Sequence, residues 1–122
     1  MFWQIKLQSD KFTQISFYLK SRSEGGDVVR RCLKIKVLGK VQGVNYRSFI
    51  HNHATTLGIE GTIQNAEDKS VILCVCGTAD KLDDLIDFLY KGSDHSKVED
   101  VVVEPLMQEK QFRGVFRVIG LN

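Results

Sequence analysis

The nine residues Gly39-Lys40-Val41-Gln42-Gly43-Val44-Asn45-Tyr46-Arg47 constrain the fold most, because the hydrophobic period changes across them. Before them, Leu33, Ile35 and Val37 alternate with Lys34 and Lys36, the period of a half-buried strand. After them, Phe49, Ile50, Ala54 and Leu57 fall at helical spacing, and Gly58 supplies a C-terminal stop. The turn between holds Gly39 and Gly43, where backbone amides can point into open space. A helix N-terminus carries unpaired N–H groups and partial positive charge, which suits an anion. Arg47 adds a planar, permanently charged fork that matches phosphate oxygens. The stretch is a candidate phosphate cradle. Strand, glycine turn and helix also make an ordinary connector, and spacing alone does not separate the two.

The rest of the chain extends the pattern. The first strand runs from Cys32 to Leu38, the helix to about Leu57, and a second strand covers Ile59 to Asn65. Residues 66–69 form a hairpin connection to a third strand, Val71 to Cys76, whose unbroken apolar run predicts a central position. Thr78 is a candidate N-cap for a second helix with the stripe Leu82, Leu85, Ile86 and Leu89, closed by Gly92. A fourth strand spans Val98 to Val103 and a fifth Phe112 to Ile119. In the fifth, Phe112, Phe116 and Val118 share one face and Arg113 and Arg117 the other. The order βαββαβ, with an extra strand arising from the C-terminal split, predicts an α+β fold, a ferredoxin-like α/β sandwich with two helices on one face of an antiparallel sheet. Such a fold hosts many activities, so function must come from the site.

The length of 122 residues predicts one domain, and 43% hydrophobic residues suffice for a small core. The net charge of +2 comes from the N-terminus: residues 1–31 hold six of 17 basic and three of 15 acidic residues, leaving 11 against 12. A near-neutral domain gives no electrostatic case for a nucleic-acid partner. No apolar run is long enough for a signal peptide or membrane helix, so no membrane partner is expected. Three cysteines, Cys32, Cys74 and Cys76, argue against a disulfide framework; they read as small apolar side chains in a reducing, cytoplasmic setting. Residues 1–31 form an N-terminal extension ahead of the domain at 32–122. Three readings of it stay open: an added strand through Ile15, Phe17 and Leu19, a flexible arm with a linker at Ser21 to Asp27, or a start placed too far upstream.

The nine-residue turn closely resembles the first signature of the acylphosphatases. Gly61-Thr62-Ile63-Gln64-Asn65, followed by Asp68, resembles their second. Val101-Val102-Val103-Glu104-Pro105 and Phe112-Arg113-Gly114-Val115-Phe116 are similar to their C-terminal blocks, so the resemblance covers about residues 32 to 119. It implies hydrolysis of acyl phosphates, the carboxylic–phosphoric anhydrides, to carboxylate and inorganic phosphate. It implies phosphate binding by Arg47 and by the backbone amides of Gln42, Gly43, Val44, Asn45, Tyr46 and Arg47. It implies that Asn65 holds the attacking water; without the resemblance, Asn65 reads as turn chemistry. No metal and no cofactor are expected. The small-molecule acyl phosphate is the expected partner, with inorganic phosphate as product and inhibitor, and the working unit is expected to be a monomer. The alternative is a module that binds phosphate or an acyl phosphate with little or no turnover.

The lack of an acid–base relay fits that chemistry. A carboxylate leaving group has a conjugate-acid pKa of roughly 4, like a side-chain carboxyl, and departs at neutral pH without a general acid. The protein then has to position the phosphoryl group, stabilise its charge and aim a water. His51 and His53 sit two apart on a helix and face different ways; His51 lies one turn after Arg47, within reach of the cradle, but surface or core-edge packing is the expected role of both, and His95 falls in a loop. Asp80, Asp83, Asp84 and Asp87 read as a solvated helix face. Three residues depart from the family pattern. Tyr46 stands for a Phe, with a hydroxyl expected toward the surface. Asn45 stands where Gly or an aromatic is common. Lys69 replaces a Gly and would be strained at positive φ.

Overall fold

The computed structural model describes residues 5–7, 30–106, 112 and 114–120. Among these the elements are β1 (Ile5–Leu7), β2 (Arg30–Lys40), α1 (Tyr46–Leu57), β3 (Glu60–Asn65), β4 (Val71–Thr78), α2 (Ala79–Lys91), β5 (Lys97–Pro105) and β6 (Phe116–Ile119). One sheet contains all six strands in the order β1-β5-β2-β4-β3-β6. The inner four, β5-β2-β4-β3, pair antiparallel throughout; β6 is parallel to β3. This is the ferredoxin-like α+β arrangement that the βαββαβ order predicts.

Alternation explains the layers. Leu33, Ile35 and Val37 of β2, Leu73 and Val75 of β4 and Val101 and Val103 of β5 point to the helices and are sealed from solvent. Ile50 and Ala54 of α1 and the stripe Leu82, Leu85, Ile86 and Leu89 of α2 close on them. His53 stacks on the Phe88 ring at 3.6 Å, so this histidine packs between the helices at the edge of the core. Gly58, at φ 76°, ends α1 with its N–H on Ala54 and Thr55 carbonyls, as a left-handed C-cap does. No helix among the described residues is long and apolar enough to cross a membrane.

Four expectations change. Cys32 and Cys76 form a disulfide across the directly paired strands β2 and β4, and Cys74 is the free thiol. Both partners have the opposite parity to the core residues and so lie on the sheet face away from the helices. The reducing, cytoplasmic setting rested on three free thiols, and this bond removes that support. The last strand is four residues long: Phe112 lies outside it, Val118 is exposed, and Arg113 is not among the described residues. Thr78 flanks α2 in extended geometry but makes no side-chain capping bond. The first domain strand starts at Arg30, where Arg30 pairs with Glu60 of β3. The strand expected at Ile15 to Leu19 and the linker at Ser21 to Asp27 lie outside the described residues; β1 instead pairs Ile5–Leu7 with Val101–Val103 at the sheet edge.

Candidate active site

The strand directions bring one set of chain ends together. β2, β3 and β6 run the same way and β5 runs against them, so Lys40, Asn65, Ile119 and the entry to β5 share one edge of the sheet. There a cleft of about 880 Å³ opens, lined by the turn from Gly43 to Arg47 and by Asn65. Gly39 makes the exit from β2 possible. At φ 125° in an irregular pairing with β5, it brings its backbone so near that a Cβ would meet the Lys97 carbonyl oxygen at 2.2 Å.

The cradle is built from backbone. Gly43 at φ 71° and Asn45 at φ 67° adopt left-handed conformations on either side of Val44, the alternation that turns successive N–H groups inward around an anion. Asn45 is the N-cap of α1 but offers no side-chain bond, and the first turn holds no acidic residue. The Phe49 N–H makes the first helical bond, to Asn45, so the N–H groups of Tyr46, Arg47 and Ser48 precede the intrahelical ladder. Asparagine tolerates the left-handed region better than most residues, which accounts for its presence where glycine is common.

Distant elements hold the cradle in place. Ser93, in the loop before β5, donates to the Val44 carbonyl at 2.8 Å. Within a trans peptide the C=O and the next N–H point opposite ways, so the Asn45 N–H faces away from Ser93. The Tyr46 hydroxyl donates to the Leu89 carbonyl at 2.7 Å, in the last turn of α2 where carbonyls lack helical partners. This overturns the expected outward hydroxyl; Tyr46 is sealed in the core, and burial pushes its phenol well above the usual range. The Gln42 side chain donates to the Ala66 and Ser70 carbonyls at 2.9 Å each. Gln42 does not line the cleft; its amide fastens the turn to the hairpin that follows Asn65.

Arg47 is buried on the first turn of α1 and lines the cleft. Its Nη1 donates to the Ile119 carbonyl at 2.9 Å, so the C-terminal strand orients the guanidinium. Across the cleft stands Asn65, whose Oδ1 is buried and has no hydrogen-bond partner among the described residues. The hairpin beyond it turns through Lys69 at φ 76°, the positive φ that a glycine would take without strain. Asp68 accepts from Lys36 at 2.7 Å and from the Ser70 N–H at 3.1 Å; hydrogen bonds from Lys36 and then Ser70 hold its carboxyl well below the usual range.

A profile of the acylphosphatase family matches residues 33–118. The chain belongs to the acylphosphatase family. It is 40% identical over 83 residues to an acylphosphatase of Caldivirga maquilingensis, covering 67% of this chain and 87% of that protein. It superposes on the structure of an acylphosphatase from Coxiella burnetii with a TM-score of 0.68 at 31% identity, covering 74% of this chain and 93% of that one. The crystal structure of acylphosphatase from Bacillus subtilis gives a TM-score of 0.71 at 26% identity, covering 75% and 100%.

Against this acylphosphatase fold, the structure brings Gly43, Val44, Asn45, Tyr46, Arg47 and Asn65 to one cleft and leaves Gln42 behind it. Sequence reasoning missed Ser48, His95 and Gly120 on the cleft wall. Lys40 also lines it, and its signal was available, a cation inside the turn motif. His95 carried none, since a loop histidine has no period. His51 does not line the cleft; its ring lies 5.9 Å from that of Phe116.

Proposed function

We propose that the protein is an acylphosphatase that hydrolyses acyl phosphates to carboxylate and inorganic phosphate on the Gly43–Arg47 cradle. One observation carries the reading. Asn65 lines the same cleft as the cradle and Arg47, and its buried Oδ1 has no hydrogen-bond partner among the described residues. The amides and guanidinium suit the three phosphoryl oxygens, whose charge must be stabilised during transfer. The Asn65 oxygen can accept a hydrogen bond from a water and aim it without taking its proton.

In the reaction, water oxygen forms a bond to phosphorus and the bond from phosphorus to the anhydride oxygen breaks. The electron pair leaves with the carboxylate, and a water proton ends on a phosphate oxygen. In this reading the working unit is a monomer. The residues named for binding and catalysis fall between 43 and 65, which supports residues 1–31 as an extension outside the chemistry. The test is hydrolysis of benzoyl phosphate by the full-length protein and by Arg47→Ala. Turnover by the wild type, competitive inhibition by inorganic phosphate, and loss of both in folded Arg47→Ala are expected. Tight phosphate binding by a wild type without turnover would instead favour a binding module.

A further inference from the structure

Phosphoryl transfer places the attacking and leaving oxygens on opposite sides of phosphorus. The flanks of the cradle are therefore not equivalent. The cradle springs from β2; Asn65 ends β3, two strands away on one side, and the loop from Gly92 to Ser96 feeds β5, the neighbour on the other. A water held by Asn65 directs the anhydride oxygen toward that loop. There a second cleft of about 490 Å³ adjoins the first, sharing Val44, Asn45, Ser48 and His95 with it. Neither Arg47 nor Asn65 lines this second cleft, and the cradle residues Val44 and Asn45 border both, so it flanks the phosphoryl site.

We propose that the second cleft receives the acyl arm of the substrate, and that it favours a short arm carrying a hydrogen-bond donor, hydroxyl or ammonium, over a hydrocarbon arm of the same size. The inference rests on the acyl-phosphate reading of the first cleft. Its walls decide the preference. Beyond the shared residues they are Phe49, Asn52, Ser93 and Asp94, so a carboxylate and an amide carbonyl stand ready to accept a hydrogen bond. Ser93 offers a ligand no proton, because its hydroxyl donates to the Val44 carbonyl, and its oxygen remains a further acceptor. The Ser96 hydroxyl donates to the Ser93 carbonyl at 2.8 Å, so Asp94 and His95 sit between two anchored residues. Asn52, Asp94 and His95 are exposed, which limits each polar contact to a modest effect. When the P–O bond breaks, the acyl carboxylate takes the electron pair and departs through this cleft.

A matched pair of substrates tests the idea: glycoloyl phosphate and propionyl phosphate differ by a hydroxyl in place of a methyl. The wild type is expected to favour glycoloyl phosphate in kcat/KM by about three- to tenfold more than uncatalysed hydrolysis does, the discrimination of a single partly solvated hydrogen bond. In the Asn52→Ala/Asp94→Ala double variant the ratio is expected to fall to that of the uncatalysed hydrolysis of the same two substrates, because glycolate is the better leaving group. Because the readout is a ratio within one protein, a loss of folded fraction cancels. Hydrolysis of both substrates with no wild-type preference beyond the uncatalysed ratio, or an excess that survives the double variant, overturns the acyl-arm cleft and leaves the phosphoryl site standing. Hydrolysis of neither overturns the acyl-phosphate reading and this inference with it.

Discussion

Breaking the Cys32–Cys76 bond should weaken the fold and leave the chemistry intact. The two cysteines are 44 residues apart in sequence. In the chain-entropy account, cross-linking a loop of that size removes about 4 kcal/mol of freedom from the unfolded chain. Set against a total stability of about 5–15 kcal/mol for a domain, that is a large share, about 10³-fold in the folded-to-unfolded ratio. The freed thiols remain acceptable as small apolar groups, so little should be lost from the folded side. Cys32 lies at the opposite end of β2 from the cradle; eight residues at roughly 3.3 Å each put it about 26 Å from Lys40. The assay is urea denaturation with and without reductant, run beside the Cys32→Ala variant. The oxidised wild type should unfold at markedly higher urea, the variant should ignore reductant, and kcat of the folded reduced protein should match the oxidised one. Equal midpoints for oxidised and reduced protein would refute the entropic argument. Loss of kcat in reduced protein that is still folded would refute the separation of bond from site.

Three further predictions follow from the site. Asn65→Ala should lower kcat by on the order of 10²-fold or more while inorganic phosphate inhibits at similar concentration, because orientation of the water is lost and the cradle is not; a thermal melt checks that the hairpin survives. Tyr46→Phe should cost about 1 kcal/mol in urea denaturation, since the Leu89 carbonyl loses its donor inside the core. The lowered Asp68 pKa has a definite sign: its contribution to stability is full above the ordinary carboxyl pKa of about 4 and is lost as pH falls from there toward the folded-state value. Asp68→Asn should therefore flatten the acid side of the stability profile measured by thermal melts, by a modest amount because the pair with Lys36 is solvated.

The elements were legible because local periods and stops are local physics. The alternation ahead of Gly39, the stripe ending at Leu89, and Gly58 and Gly92 reappear within a residue or two of where periodicity puts them. The extra length of β2 and β5 was not, because pairing across the sheet continues past the apolar alternation. Long-range partners were illegible for the same reason. Arg47 finds Ile119, Tyr46 finds Leu89 and Ser93 finds Val44 only after the strand order is set. The disulfide is the clearest case. The cysteine count gave no hint that β2 and β4 would put Cys32 opposite Cys76 in register. At the site, the turn and its charge pointed to Arg47 and the resemblance to Asn65, while His95 arrived only with the fold.

The central claim is that water attacks phosphorus on the cradle, and an isotope experiment addresses it directly. Benzoyl phosphate is hydrolysed by the protein in ¹⁸O-labelled water, and both products are weighed by mass spectrometry. The account predicts label in the inorganic phosphate and none in the benzoate. Label in the benzoate would mean attack at the carbonyl carbon and would contradict it.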